Sequence, residues 1–118
     1  MRPSDKLPVV YLCRSPIDFR KGINGLSVLV EQQLSLSPFS SHLFVFTNKN
    51  RDKIKILYWE QSGFCLWQKR LEKEKFKWPK YRPEEVISLT GQQLNWLLDG
   101  YDLRHLVPHQ TLTYESFV

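Results

Sequence analysis

The residues that offer the most chemistry are cations interleaved with aromatic rings in the middle of the chain. Residues 49–82 carry eleven Lys and Arg against four Asp and Glu, whereas residues 83–118 carry one against five. Lys and Arg bind phosphates by releasing counterions, and exposed rings stack on unpaired bases. The pattern predicts a nucleic-acid-binding segment, and the alternative is a solvated basic surface without a partner. The candidate contacts in it are Lys49, Arg51, Lys53, Lys55, Lys69, Arg70, Lys73, Lys75, Lys77, Lys80, Arg82 and Trp78.

A second candidate is the stretch RSPIDFRKGINGL at residues 14–26, in which Arg20 and Lys21 precede Gly22 and Gly25. The GxxG spacing is that of the phosphate clamp of KH domains, which requires a loop. Apolar residues at helical spacing run through this stretch and favour a helix instead. We therefore favour close packing of another backbone or ring against the two glycines, with Arg20 and Lys21 as candidate phosphate contacts.

Catalytic residues are sparse. Cleavage by two metal ions needs several converging carboxylates, and the acids near the basic segment have structural explanations: Asp18 as a helix cap, Asp52 as a turn residue and Glu60 as a strand-end charge. His105 and His109 are four apart, but a proline between them disfavours a regular helical metal pair. The sequence predicts no enzyme, no cofactor and no metal site.

The elements that must position these residues begin with a strand over residues 7–14. Ser15 as N-cap, Pro16 at the first helical position and Asp18 near the positive end of the dipole then predict a helix over 16–34. Phe19, Ile23, Leu26, Val30 and Leu34 form its apolar stripe.

Three strand-like segments follow the loop at 35–41: HLFVFTN, KIKILYWE and FCLWQKRL. Their short connections predict an antiparallel meander over 42–71. In the second segment Ile54, Ile56 and Tyr58 share one face, which we assign to the core, and the other face is mixed basic and aromatic.

A basic connection over 72–83 leads to a second helix. Thr90 with Gln93 is a capping-box pattern, and Gly100 is placed to end the helix in a left-handed cap. We expect an α+β fold: an antiparallel sheet of about four strands, one long helix packed on it and a C-terminal helix. Residues 1–103 are assigned to a single domain and residues 104–118 to a tail.

Length and composition agree with one domain, because 118 residues with 42% hydrophobic content suffice for a single core. Cys13 and Cys65 fit no metal or redox motif and are expected as reduced, buried thiols. No apolar run approaches the roughly 18 residues of a membrane span. We expect a cytoplasmic protein without a membrane partner.

Three blocks of the sequence resemble one family: SPIDFRKGINGL, residues 38–79, and LTGQQLNWLLDGYD. Together they are similar, from Val9 to Leu103, to the TnpB-type accessory protein, the second open reading frame, of the bacterial insertion-sequence family numbered sixty-six. In the family's DMRKG block Phe19 replaces Met, and in its GFxLWxKRLExGxFxWP block Glu74 stands where a small residue is common.

The resemblance implies a non-catalytic accessory protein that supports DNA transposition beside a separate, larger transposase. Three hypotheses follow. The protein binds DNA, at the element's end or the target, through the basic-aromatic band 49–82. Alternatively, it docks on the transposase or a second accessory protein through the leucine-bearing stretch 83–103 or an aromatic sheet face. The third hypothesis is a small metal-dependent nuclease.

Overall fold

A computed structural model describes residues 9–105 of the chain. Five strands and two helices lie within this range, followed by a short 3₁₀ helix. They are β1 (Val10–Cys13), α1 (Ile23–Gln32), β2 (Leu43–Thr47), β3 (Lys53–Glu60), β4 (Gly63–Arg70), β5 (Val86–Leu89), α2 (Gly91–Leu98) and the 3₁₀ helix Leu103–His105.

The strands form one mostly antiparallel sheet in the order β4-β3-β2-β1-β5. The predicted meander is confirmed, because β2 pairs antiparallel with β3 and β3 with β4. Strands β1 and β2 are parallel, with Val10 opposite Leu43, since α1 crosses over between them. The α+β class is confirmed with five strands; β5 escaped prediction because four residues are too short to show a clear period.

Each face of the sheet carries a buried apolar cluster. On one face Ile54 and Ile56 pack in a cluster with the leucines of α2 and with Phe76 and Trp78. On the other, Leu57 packs in a cluster with Leu26, Leu29 and Val30 of α1. The expectation that only one face of β3 belongs to the core is corrected, because a crossover helix covers the second face.

The start of the first helix differs from the prediction. Helix α1 begins at Ile23, with Gly22 as its N-cap in extended backbone and no side-chain cap. The Ser15 hydroxyl donates instead to Glu85 Oε1 at 3.2 Å, and Asp18 Oδ1 accepts from the Arg20 amide at 3.0 Å. Neither expected cap bonds an amide of α1, and residues 15–22 form a loop.

The predicted close packing on the glycines is also wrong. Gly22 is not helical, and a Cβ on it would meet no atom within 4 Å. The three atoms nearest to a Cβ on Gly25 all belong to the Lys21 side chain, the first at 3.2 Å. The nearest neighbour of Gly25 is therefore a side chain of its own segment and not the backbone or ring of another element.

Helix α2 follows its predicted signals. The Thr90 hydroxyl accepts from the Gln93 amide at 3.1 Å, the Thr90 amide donates to Gln93 Oε1 at 2.9 Å, and Gly100 has φ 97°. Leu97 is fully buried, as is nearly all of Leu94 and Leu98. These leucines therefore hold α2 to the sheet, which corrects the hypothesis that they dock on a partner.

Some predictions fall at the limits of the described range. The predicted tail starts inside the 3₁₀ helix, and the rest of it, with His109, lies outside the described residues, as does the start of the predicted strand 7–14. Both thiols are unpaired; Cys13 is buried and Cys65 half-buried. Within residues 9–105 no helix has the length and apolar character needed to cross a membrane.

Candidate nucleic-acid interface

The predicted cations gather at one end of the sheet, where β1, β2 and β4 end and β3 and β5 begin. The Phe76 amide donates to the Arg51 carbonyl at 2.8 Å, and Trp78 Nε1 donates to the Arg14 carbonyl at 2.9 Å. These bonds bring together segments far apart in sequence. We call this region the basic end, formed by residues 14–22, 48–53 and 69–85.

The turn between β2 and β3 is set by local hydrogen bonds. Asn48 Nδ2 donates to Asp52 Oδ1 at 2.7 Å, and Asn48 Oδ1 accepts from the Lys53 amide at 3.1 Å. The bond from Asn48 is the main reason that the pKa of Asp52 is lowered. Arg51 adopts φ 60°, a left-handed conformation within this turn. Asp52 is thus a turn residue, as the sequence predicts.

Lys55 is a structural cation. Its side chain lies in the core at 7% exposure, and its Nζ donates to the carbonyls of Phe19 and Lys21, both at 2.8 Å. Burial is the main cause of its lowered pKa. Since both bonds fasten the loop 18–22 to β3, the expectation that Lys55 contacts phosphate is corrected.

Trp78 is also a core residue. It is 4% exposed, and its ring packs in the cluster on the α2 side of the sheet. This burial corrects the expectation that its ring stacks on bases. The segment 72–83 has no regular structure, as predicted, yet Phe76 and Trp78 point inward between exposed lysines. The burial of Trp78 could not be recognised from the sequence, because its neighbours along the chain are charged.

Three of the candidate arginines pair with a carboxylate two positions away. The pairs are Arg20–Asp18 at 2.6 Å, Arg70–Glu72 at 3.1 Å and Arg82–Glu84 at 2.7 Å. The hydrogen bonds from Arg20 lower the pKa of Asp18. Exposed pairs of this kind contribute little to stability because water and salt screen them, so a phosphate can compete for these arginines.

Lys69 contacts the end of α2. Its Nζ donates to the Leu98 carbonyl at 2.9 Å, where a cation complements the negative end of the helix dipole. Lys69 therefore helps to hold α2 against β4, and it is not a freely available cation.

The remaining candidate lysines carry unpaired ammonium groups. Within residues 9–105 these side chains make no ion pair or hydrogen bond, and all but the half-buried Lys53 are exposed. They are Lys21, Lys49, Lys53, Lys73, Lys75, Lys77 and Lys80.

Four candidate cations and the buried Trp78 share a concave pocket of about 300 Å³. Arg51, Lys75, Lys77 and Lys80 line it, together with Arg104. Sequence reasoning missed Arg104, because a single cation in the acidic last third of the chain gives no signal. Only the path of the chain after α2 brings it beside the 75–81 segment.

The described residues offer no metal centre: within residues 9–105, no three His, Cys, Asp or Glu side chains are grouped to hold a metal ion. The acids near the basic end have other partners, as described for Asp18 and Asp52. Glu60 lies at the far end of β3, where it accepts a weak bond from Cys65 Sγ at 3.6 Å.

The fold and this surface together define a class of protein: a small α+β domain with helices on both faces of one sheet and, at one end, lysines that are unpaired among the residues the structure describes. The model of the family described as IS66 Orf2 like protein matches residues 8–108. The chain belongs to this family. It is thereby an insertion-sequence accessory protein associated with transposition, from a family generally not characterised as catalytic.

Two relatives extend the comparison. The chain is 33% identical over 111 residues to the uncharacterized protein y4hO of Sinorhizobium fredii, covering 94% of each chain. It is also 33% identical over 93 residues to the uncharacterized protein y4jC of the same organism, covering 79% of each. No solved structure matches the chain.

Proposed function

We propose that this protein is a non-catalytic accessory factor that supports transposition by holding DNA against the basic end, while the element's transposase performs the strand chemistry. The observation that carries the proposal is the gathering of lysines that have no partner within residues 9–105. They come from three separate segments: Lys21 from the first loop, Lys49 from the β2–β3 turn, and Lys73 and Lys75 from the basic connection. The partners are then DNA, the transposase and a second accessory protein.

The exposed lysines and the paired arginines differ in what phosphate binding costs them. An exposed ammonium group without a carboxylate partner binds phosphate at little cost, because no existing ion pair is broken. Contacts to phosphates position a protein on DNA without reading its sequence. The charge distribution therefore supports binding with little sequence preference.

The first test is a salt titration of binding to duplex and single-stranded DNA. The logarithm of the association constant should fall linearly with the logarithm of salt concentration, with a slope that reports the number of phosphates contacted. If neither duplex nor single-stranded DNA binds at low salt, the proposal is contradicted.

A pair of matched double variants locates the surface. Lys49→Gln with Lys73→Gln removes two charges at the basic end, and we expect roughly threefold weaker binding across all sequences. Gln61→Glu with Gln92→Glu changes the net charge equally, at exposed positions on the opposite end of the sheet. If the two double variants weaken DNA binding equally, the affinity responds to net charge alone and not to this surface.

A second candidate function has one observation in its favour. At the end opposite the basic end, Phe39, Trp59 and Phe64 form an aromatic cluster with ring centroids 5.0–5.3 Å apart, and Phe39 is 57% exposed. Exposed aromatic side chains are enriched at protein interfaces, so this cluster supports docking on the transposase without direct DNA contact.

Co-purification with the transposase tests this second function. Phe39→Ser should abolish the complex while the circular dichroism spectrum stays unchanged. Tyr101→Ser is the matched control, because Tyr101 is 55% exposed but lies outside the cluster. Retention of the complex by Phe39→Ser rules the cluster out as the docking surface.

A further inference from the structure

We propose that the pocket between residues 75–81 and Asp102–Arg104 binds a phosphate group of a nucleic-acid strand, with Tyr81 against the adjoining nucleoside. This inference rests on the proposed DNA binding and adds to it the site that anchors the strand. We call it the anchor pocket.

The size and charge of the anchor pocket fit such a group. Its volume of about 300 Å³ lies at the lower end of the range for small-ligand sites, which suits one nucleotide. Five cations line it against the single carboxylate of Asp102. Cations that surround a concave site concentrate their field within it, so the pocket favours an anion over the surrounding surface.

Arg104 is held in position on two sides. Its Nη2 donates to Asp102 Oδ2 at 2.8 Å and its Nε to Oδ1 at 3.3 Å, and its guanidinium carbon lies 5.2 Å from the centre of the Tyr81 ring. Asp102 Oδ1 also accepts from the Arg104 amide, at 3.0 Å. The pKa of Asp102 falls to about 2, chiefly because of the Arg104 side chain. Asp102 thus stays ionised and orients Arg104.

Arg51 supplies an independent observation. Its Nε is buried and has no hydrogen-bond partner among residues 9–105. A buried donor without an acceptor is unfavourable, and the half-buried guanidinium of Arg51 lines the pocket, where it adds to the attraction for an anion. The bond from the Phe76 amide to the Arg51 carbonyl, at 2.8 Å, ties this residue to the segment that carries the lysines.

Tyr81 distinguishes a nucleotide from a bare anion. The side chain lines the pocket and Tyr81 is 46% exposed, so part of it is open to a ligand. Aromatic side chains bind bases by stacking, without sequence preference. The pocket should therefore bind a nucleotide more tightly than inorganic phosphate.

The first experiment is a nuclear magnetic resonance titration of the full chain with three probes: inorganic phosphate, thymidine monophosphate and a short thymidine strand with or without a terminal phosphate. Each probe should shift the amide signals of Arg51, Tyr81 and Arg104. Tighter binding of the phosphorylated strand assigns the pocket to a strand end, and equal binding assigns it to an internal phosphate. Shifts confined to other residues overturn the proposal.

Matched variants complete the test. Lys75→Gln with Lys80→Gln alters the pocket, whereas Lys49→Gln with Lys73→Gln removes the same charge outside it. We expect the pocket pair to weaken strand binding roughly thirtyfold, against roughly threefold for the other pair. If both pairs weaken strand binding equally, the proposal that the pocket anchors the strand is overturned, whereas the proposed DNA binding is not. Phosphate binding in the pocket without any strand binding overturns the proposed DNA binding and, with it, the assignment of the pocket to a nucleic-acid strand.

Tyr81→Leu separates the two parts of the pocket. The variant should lose the preference for thymidine monophosphate over inorganic phosphate, and the ratio of the two affinities is the readout, because loss of the contact between Tyr81 and Arg104 weakens both probes alike. An unchanged preference contradicts the role of Tyr81 and leaves the cations as the only determinants.

Discussion

Lys55 illustrates at the residue scale how a charge serves structure when it is withdrawn from water. Two carbonyl oxygens replace part of its hydration shell, and the Phe19 ring centre lies 4.5 Å from its Nζ. A buried charge is tolerated only when it is paired or hydrogen-bonded. Lys55 therefore positions the loop that presents Arg20 and Lys21, and its own charge is unavailable to a ligand.

Lys55→Met should lower the free energy of unfolding by about 2–3 kcal/mol, because it leaves the carbonyls of Phe19 and Lys21 without their charged donor. Urea denaturation measures the change. Lys53→Met is the control, since Lys53 is less buried and makes no side-chain hydrogen bond among residues 9–105. Equal effects of the two variants contradict the anchoring role.

Cys13 gives stability a dependence on alkaline pH. Burial, with a smaller contribution from Glu85, raises the pKa of its thiol from 9.0 to about 11. The unfolded chain loses this proton near pH 9 while the folded protein retains it, so the stability contribution is complete below pH 9 and falls as pH rises to about 11. Cys13→Ala and Cys13→Ser should both reduce this decline, as followed by denaturation at several pH values.

At the scale of elements, the two helices start in different ways. Helix α2 begins with a capping box closed entirely by nearby residues, Thr90 and Gln93. Helix α1 begins at Gly22 without a side-chain cap, so its position depends on packing against the sheet. Because α2 delivers the chain to Asp102 and Arg104, its placement also shapes the anchor pocket.

Thr90→Ala should destabilise the protein by about 1 kcal/mol, because the amide of Gln93 loses its acceptor. Thr90→Ser retains the hydroxyl and should remain close to the wild type. Thermal unfolding measures both variants. A Thr90→Ala variant as stable as the wild type shows that packing alone holds the first turn of α2.

At the scale of the whole molecule, the charges are segregated. Residues 23–48 contain no Lys or Arg, and the cations that follow lie mostly at the basic end. Like charges gathered in one region repel each other and oppose folding. The protein therefore carries an electrostatic cost that an anionic partner would relieve.

Added sodium chloride should consequently raise the melting temperature up to about 0.15 M, where screening shortens the range of repulsion to about 8 Å. Lys49→Gln with Lys73→Gln should show a smaller rise, and Gln61→Glu with Gln92→Glu the same rise as the wild type. Differential scanning fluorimetry measures all three proteins. A melting temperature that falls with salt indicates that attractive pairs outweigh the repulsion.

The sequence alone determined the features that depend on neighbouring residues. Strand-favouring composition and short turns predict β2, β3 and β4, and the spacing of Thr90, Gln93 and Gly100 predicts both ends of α2. Each of these signals is local, since the groups that interact lie within a few positions of one another. Three blocks of residues in the family's order were likewise enough to indicate which family the sequence resembles.

Only the tertiary structure decided which cations are free. Lys55 and Lys69 contact carbonyls 29–36 positions away, and Trp78 reaches Arg14 across 64 positions. The path of the chain after α2 likewise brings Arg104 into the anchor pocket. The type of a side chain and its neighbours in sequence indicate what it can bind. Whether it is available to bind depends on groups that contact it only when the chain folds.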